Sequence, residues 1–542
     1  MTAFSTQPTP LYRDVLRSCR QRRRATKVVD STGAELTGGM LLARTFVLRR
    51  LLRRHVLGSD ERYVGILLPP SAAAVAANLA VTFDRRIAIN LNYTLTSDIL
   101  NSCLAQTEIT HVLTSRALLE KMPLQLNVEM VMLEDLRDRP TKIDKLIGAL
   151  LAFVMPIWLL LRLFGLHRVT NDEVMAVIFT SGSTGSPKGA ELTFGNVASN
   201  IAAIIEVLHI HPHDVMIGVL PFFHAFGYTV TLWTILSVDA AAAFHVNPLD
   251  ARSVAKLCRE RKGTILLVTP MFLRGYIGRC DPADFATLEV LITGGEKLPK
   301  PVADAFEARF GIRPIEGYGC TETSPFIAAN VPPHRAVGDQ RFAAREGTVG
   351  KPSPGVRVKV IDPETDRELG VDEQGMLWVH GPNVMKGYLG KPEATARVIQ
   401  DGWYRTGDIV TIDADGFIRI VGRESRFAKI GGEMVPHGVV EEALTEIIGV
   451  DEQGGQKAVV VSAPDVAKGE RLAVIHTPLP MPPAEVRTAL ARSGLPKLYI
   501  PASDSFVLVE QLPMIGTGKL DLRAINEIAQ AAMRERDVST RG

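Results

Sequence analysis

The chain has 542 residues, 46% hydrophobic and 22% charged, with 61 Lys+Arg against 59 Asp+Glu. That apolar fraction excludes a disordered tail, near-neutrality argues against a whole-protein nucleic-acid binder, and the length suggests about two to four domains. Five scattered cysteines (Cys19, Cys103, Cys258, Cys280, Cys320) lack metal-ligand spacing, which excludes a disulfide scaffold or Cys-rich zinc module and fits a reducing compartment.

The first 25 residues hold basic side chains but no apolar core, so no secretory signal is expected. Residues 1–54 carry 12 Lys+Arg and 3 Asp+Glu, a net +9 that leaves −7 for the other 488. Arginine clusters at 22–24, 49–50 and 53–54 suit anionic lipid or an acidic protein, with solvated helix faces as the plainer alternative. Residues 63–69 are expected as a buried strand, followed by an Ala-rich helix over 71–79. Residues 146–161 run without a charge between Lys145 and Arg162 and include Pro156 and Trp158. As one helix they would span about 24 Å, short of the roughly 30 Å hydrocarbon core, so a spanning helix is not expected. The segment is expected to enter one leaflet, with Arg162, His167 and Arg168 at the headgroups; a buried helix, or one packed on a partner, is the alternative.

Short apolar strands at 175–180, 215–220, 265–268 and 290–292, near helical stretches, predict parallel α/β layers up to about residue 340. After Gly347, strands at 356–361, 376–380 and 417–421 with an Asp415-Gly416 turn predict a small antiparallel β subdomain. Beyond about residue 424, strands at 457–462, 471–477 and 504–509 and helices at 484–493 and 522–533 predict a compact α+β domain. The expected division is therefore 1–422, including the apolar insert, and 423–542, with a hinge at Gly422-Arg423.

The longest motif follows the strand at 175–180: Ile178-Phe-Thr180-Ser181-Gly182-Ser183-Thr184-Gly185-Ser-Pro-Lys188-Gly189. Its glycines allow a tight backbone presenting N–H groups, its hydroxyls add donors and Lys188 adds positive charge, a composition suited to a polyphosphate. Pro187 and Gly189 flank that lysine, so this is not a Walker A loop. In Gly317-Tyr318-Gly319-Cys320-Thr321-Glu322-Thr323, a ring suited to a purine face precedes a hydroxyl and a carboxylate suited to a phosphate and its Mg²⁺. Tyr404-Arg-Thr-Gly-Asp408 offers a carboxylate to paired hydroxyls such as those of ribose. Gly422-Arg423-Glu-Ser-Arg426-Phe-Ala-Lys429-Ile-Gly431-Gly432-Glu433 occupies the expected hinge, and Pro513-Met-Ile-Gly516-Thr517-Gly518-Lys519-Leu-Asp521 puts a lysine on a glycine-flexed loop. His245-Val-Asn-Pro-Leu-Asp250 fits the H-x₄-D pattern of glycerolipid acyltransferases, but lies between a strand and a helix that Asp250 is expected to cap.

In this order and spacing the five stretches resemble the adenylate-forming superfamily of acyl-CoA synthetases, peptide-synthetase adenylation domains and luciferases, over about residues 12–533. The finer texture at 112–116, 316–322, 426–435 and 513–521 is similar to the synthetase half of the bacterial acyl-acyl carrier protein synthetase/2-acylglycerophosphoethanolamine acyltransferase subfamily. The resemblance implies an α/β fold in which a large N-terminal domain of layered sheets, with a small β subdomain, is hinged to a smaller α+β C-terminal domain. It implies a ligase using ATP and Mg²⁺ to convert a fatty acid, expected to be long-chain, into acyl-AMP and pyrophosphate. The acyl group then passes to the phosphopantetheine thiol of acyl carrier protein or, alternatively, to coenzyme A.

By resemblance, Lys519 bridges the incoming carboxylate and the α-phosphate, Thr321 touches that phosphate, and Glu322 with Thr184 holds Mg²⁺. Thr180, Ser181, Gly182, Ser183, Thr184, Gly185 and Lys188 hold the β- and γ-phosphates. Gly294, Gly295, Glu296, Tyr318 and Gly319 border the adenine, and Asp408 and Arg423 the ribose. Arg426 stands at the hinge, where the family usually has Asp or Lys. Lys429, Gly431, Gly432 and Glu433 form the loop that replaces Lys519 for the thioester step. His224, in Pro221-Phe-Phe-His-Ala-Phe-Gly227, matches the family's aromatic/His gate, and Phe226, Gly227 and Thr229 are acyl-pocket candidates. The expected setting is cytoplasmic and peripheral on the inner face of the cell membrane, contacted through 146–168, with no nucleic-acid partner. A non-catalytic lipid- or nucleotide-binding descendant is the competing class, and retention of Lys519, Glu322 and Asp408 argues against it.

Overall fold

Short apolar strands leave both edges of their backbone unsatisfied and must pair to be buried. In the computed structural model, which describes residues 8–180, 187–336, 344–430, 433–451, 455–465, 469–514 and 520–539, they do so in two large sheets. One has nine strands in the order Lys351–Pro352, Phe326–Ala329, Ile315–Gly319, Val290–Thr293, Ile265–Val268, Val215–Gly218, Ala241–Phe244, Thr26–Asp30, Glu35–Thr37. The other has seven: Gly387–Tyr388, Lys188–Thr193, Val174–Thr180, Ile87–Asn90, Tyr63–Ile66, His111–Thr114, Glu129–Met132. Their central strands pair in parallel, and antiparallel pairs lie toward the ends, as the alternation of strands and helices predicts. The Ala-rich helix runs Ala72–Phe83, one turn beyond its expected end. Ser71 caps it by accepting from the Ala74 N–H, and all of its residues but Ala73 are buried.

Contacts divide the chain into two units, Met1–Val358 with Val379–Arg405, and Lys359–Trp378 with Thr406–Gly542. The division runs through the strands Arg357–Ile361, Gly375–His380 and Trp403–Ile412. The region after Gly347 is only partly a separate antiparallel sheet, because Lys351–Pro352 and Gly387–Tyr388 join the two large sheets instead.

In the second unit, Glu433–Pro436, Phe427–Ile430, Gly469–His476 and Ala458–Asp465 pair in that order, and Phe506–Leu508 adds in parallel to Gly469–His476. Alternation along the strands gives each face its own cover. Val460 and Val474 pack with Val440, Leu444, Val486 and Leu490 of the helices His437–Ile448 and Pro483–Arg492. Val459, Val461, Ala473 and Ile475 pack with Ile525, Ala529 and Met533 of the helix Leu522–Ser539. Those three helix residues recur every fourth position, the spacing that puts them on one face.

The uncharged stretch is two short helices rather than one. Thr141 and Asp144 form a capping box at the start of Lys142–Phe153, and Pro156 caps Ile157–Leu163. Asp144 is clamped by Arg50 (2.6 Å) and Arg54 (3.4 Å) of the helix Gly38–His55. The close approach of the two helices requires Gly148, where a side chain would come within 2.6 Å of Val47 Cγ2 and 2.9 Å of the Ala43 carbonyl. Among the described residues no helix is long and apolar enough to cross a membrane.

Several N-terminal cations are engaged within the fold. Arg22 pairs with Asp239 at 3.2 Å and Arg49 with Asp84 at 3.0 Å. Lys27 is fully buried, its ammonium facing Ser18 Oγ (2.7 Å) and the carbonyls of Ile235 (2.6 Å), Val238 (2.5 Å) and Ala240 (2.9 Å). Burial pulls its pKa from the ordinary 10.5 down to about 8. Between those values the unfolded chain keeps the proton that the native state has lost, so stability rises with pH across this window and the penalty is complete below it. The stability of the wild type relative to Lys27→Met, from chemical denaturation, should therefore climb from about pH 8 to 10.5 by on the order of 3 kcal/mol.

Candidate active site

In the first unit, Val174–Thr180 and Lys188–Thr193 pair antiparallel with Thr180 opposite Lys188. The phosphate-type stretch therefore links two paired strands in sequence; its residues Ser181, Gly182, Ser183, Thr184 and Gly185 lie outside the described residues. The Lys188 ammonium stands 5.3 Å from the centre of the Tyr388 ring. The Tyr388 hydroxyl donates to Glu322 Oε1 at 2.7 Å, and the Met385 N–H donates to the Glu322 carbonyl at 2.8 Å. Burial, then the neighbouring Glu322 carboxylate, push the Tyr388 phenol well above its usual range, so it stays a donor. Tyr404, also buried, is raised in the same way by burial, Cys320 and Glu322. The two motifs thus meet through a tyrosine that neither contains.

Two asparagines one turn apart on the helix Phe194–Leu208 hold this arrangement. Asn196 completes a capping box with Thr193 and donates to the carbonyls of Pro382 and Val384, each at 2.8 Å, fixing the approach to Tyr388. Asn200 donates to the Thr323 carbonyl (3.1 Å) and accepts from the Phe326 N–H (2.7 Å), clamping both sides of the turn that carries Thr321 and Glu322. Asn200→Ala should cost about 2–4 kcal/mol by leaving both groups buried and unpaired. It should also raise KM for ATP, while Asn200→Asp, which keeps the acceptor, should recover part of the loss. Chemical denaturation and steady-state kinetics check both.

Tyr318 and Gly319 end the strand Ile315–Gly319, and Gly319 passes so close to the Pro325 carbonyl oxygen that a side chain would lie 1.8 Å from it. Gly294 and Gly295 follow the neighbouring strand Val290–Thr293, with Glu296 next in the same turn. The Phe226 ring lies beside Gly294, 3.1 Å from where a Cβ would be. Phe226 opens a π-helix, Phe226–Trp233, in which Gly227 and Thr229 are buried; π-helical turns are frequent at functional sites. His224 precedes it, half-buried, its ring 4.6 Å from that of Phe223. Glu316, which the motif reading passed over as a site residue, accepts from the Leu298 N–H at 3.0 Å and is raised in pKa by burial.

In the second unit, buried Asp408 pairs opposite Arg423, whose Nε donates to Asp408 Oδ1 at 3.0 Å. Arg426 is bound to both carboxylate oxygens of Glu441, at 2.6 and 2.5 Å, and to the Val460 carbonyl at 3.2 Å. Lys429 reaches Glu364 at 3.0 Å, and Glu433 is exposed on the paired strand. Gly431, Gly432 and Lys519 lie outside the described residues. The H-x₄-D pair performs the structural role expected: Asp250 caps Ala251–Arg261 by accepting from the Ser253 N–H, and buried His245 stands 3.8 Å from it.

No group of three or more His, Cys, Asp or Glu side chains is placed to hold a metal among the described residues. A lone carboxylate such as Glu322 nevertheless suits Mg²⁺, which takes one or two carboxylates and fills its sphere with water and substrate phosphates.

Residues 15–389 match the family described as AMP-binding enzyme. The chain belongs to that family. It is therefore an ATP-dependent, acyl-adenylate-forming ligase of the AMP-forming acid–thiol type. It is 30% identical over 353 residues to a feruloyl-CoA synthase from Amycolatopsis sp, covering 64% of this chain and 68% of that one. It is 31% identical over 368 residues to a long-chain-fatty-acid–CoA ligase from Yersinia pestis, covering 66% of this chain and 62% of that one. In fold it is similar to ATP-bound MatB from Rhodopseudomonas palustris, with a TM-score of 0.77 at 24% identity over 95% of this chain and 98% of that one.

Proposed function

We propose that this AMP-binding enzyme activates a long-chain fatty acid and transfers the acyl group to coenzyme A. The observation that carries the reading is the cluster of Lys188, Tyr388 and Glu322, a cation and a carboxylate held one ring apart, a pairing suited to a polyphosphate and its metal ion. The fatty-acid substrate rests on the relatives named long-chain-fatty-acid–CoA ligases.

A carboxylate oxygen attacks the α-phosphorus of ATP, the bond to the β-phosphate oxygen breaks, and pyrophosphate leaves. The thiol sulfur then attacks the acyl carbonyl carbon, loses its proton, and AMP departs with the carbon–oxygen bond. Two anions must approach in the first step, so catalysis is chiefly electrostatic. Lys188 and the loop 180–185 hold the β- and γ-phosphates, Thr321 and Lys519 the α-phosphate, Tyr318 with Gly294–Glu296 the adenine, and Asp408 with Arg423 the ribose. Mg²⁺ would be held by Glu322 and the nucleotide's phosphates and would neutralise their charge. His224 and Phe226 border the acyl and thiol channel, with Gly227 and Thr229 behind them. Arg426, fastened to Glu441, belongs to the rigid side of the hinge, so the chain turns just before it as the loop at 429–433 replaces Lys519.

The subfamily resemblance favours acyl carrier protein as acceptor, whereas the curated relatives are named for coenzyme A, and their names move the proposal to it. Purified enzyme given palmitate, ATP and each acceptor separately should form thioester on coenzyme A. Thioester on carrier protein alone would overturn that choice, and absence of pyrophosphate release would overturn the fatty-acid assignment. The exposed apolar helices at 142–163 support a peripheral position on a membrane, where such substrates partition.

A further inference from the structure

The helix Lys142–Phe153 is apolar on two faces. Its inner face packs Gly148, Leu151 and Ala152 on the helix Gly38–His55, while Leu146 (70% exposed) and Leu150 face outward. Val154 (69%), Trp158 (61%) and Leu163 extend the outer surface through the second helix. From Lys145 to Asn171 the sequence has no acidic residue, and Asp144 is neutralised by Arg50 and Arg54. Arg162 lies over the Trp158 ring at 5.9 Å, as a basic residue does at a membrane interface.

Where the second helix ends, at Phe164, a cavity of about 550 Å³ opens, lined by Arg49, Arg53, Arg62, Arg85, Arg86 and that phenylalanine. Three carboxylates share it, and two are engaged: Asp84 with Arg49 (3.0 Å), Arg86 (2.7 Å) and, more loosely, Arg53 of the rim (3.5 Å), and Glu61 with His111 (2.9 Å). Arg49 donates to the Phe83 carbonyl and its guanidinium lies 3.9 Å above the Phe164 ring. The floor is thus a braced, buried arginine pair, while Arg53, Arg62 and Arg85 stand exposed at the rim. Five guanidinium groups against three carboxylates leave the cavity cationic.

We propose that this cavity receives the phosphate of an anionic phospholipid while the outward apolar face of the two helices enters the adjoining leaflet. This rests on the peripheral-membrane reading above and adds the chemistry of the lipid to it. A second copy of the chain is the weaker occupant, because the rim offers it basic groups with no acidic partner between 145 and 171.

Co-sedimentation of the full-length protein with vesicles of phosphatidylcholine alone, or mixed with phosphatidylglycerol, tests both layers. Wild type should partition more strongly onto the mixed vesicles. Arg53→Gln with Arg62→Gln should weaken that partitioning about thirty-fold, the effect of two basic residues at an anionic surface, and leave binding to phosphatidylcholine unchanged. Leu146→Ser with Leu150→Ser and Trp158→Ser, all exposed, should lose binding to both vesicles while keeping adenylation activity in solution. If the arginine pair changes nothing while the triple-serine variant detaches, the headgroup site is wrong and the membrane reading stands. If the triple-serine variant binds as wild type does, both fall. Loss of inorganic-phosphate binding in the arginine variant, with its partitioning onto mixed vesicles unchanged, would assign the cavity to a free anion and overturn the lipid.

Discussion

Lys519→Ala is expected to lower pyrophosphate release from ATP and fatty acid by at least about a hundred-fold, the scale on which a single preorganised charge partner acts in a transition state. The reason is the charge balance of the first step. The nucleophile and the α-phosphate are both anionic, and the bridging cation is strongest where they share a pentavalent phosphorus, so the loss falls on kcat more than on KM. Lys429→Ala provides the contrast. Its ammonium pairs with Glu364 in the second unit, on the loop assigned to the thioester step. That variant should release pyrophosphate at close to the wild-type rate and accumulate acyl-AMP. Equal loss of both half-reactions in the two variants would mean that the lysines have not been assigned to separate steps.

Glu322→Gln is expected to reduce adenylation by about a hundred- to a thousand-fold through loss of the carboxylate proposed to hold Mg²⁺ on the phosphates, and Tyr388→Phe by about ten-fold. The two residues share a 2.7 Å hydrogen bond, so their effects should not add. In Glu322→Gln the tyrosine has lost its charged partner, and removing its hydroxyl should then cost little. Because burial and Glu322 hold the phenol protonated far above neutrality, Tyr388→Phe should scale the pH–rate profile between about pH 6 and 9 without changing its shape. Full additivity, or a displaced pH optimum, would separate Tyr388 from the Glu322 function.

The motif residues were legible because their chemistry is local. A strand ending at Thr180, glycines and hydroxyls after it, and a lysine eight residues on need no tertiary context to suggest a phosphate grip. The residues that hold the site were not. Asn200 reaches Thr323 and Phe326 across more than 120 positions, and Tyr388 reaches Glu322 across 66. These pairs exist because one helix and one short strand from the seven-stranded sheet's side of the chain meet the end of the nine-stranded sheet. An asparagine inside an apolar helix was the one local signal for Asn196 and Asn200: a buried amide must find partners. The Gly387-Tyr388 step was equally silent until its strand joined Lys188–Thr193.

What the sequence determined by itself was the chemistry: a nucleotide-binding constellation in a fixed order, an α/β body followed by an α+β one, and a neutral total concealing a +9 beginning. What only the tertiary structure decided was which of those charges remain at the surface and which apolar residues face outward. Lys27, Arg22, Arg49, Arg50 and Arg54 are engaged by carbonyls or by Asp239, Asp84 and Asp144, whereas Arg62, with Arg53 (3.5 Å from Asp84) and Arg85 (3.8 Å from Glu173), lines an open cavity rim. The uncharged stretch is both core and surface, because Pro156 breaks it and one helix cannot turn all its sides inward. The physical reason is the same in each case. Desolvation and ion pairing depend on neighbours brought together by folding, and residue type sets only what those neighbours can do.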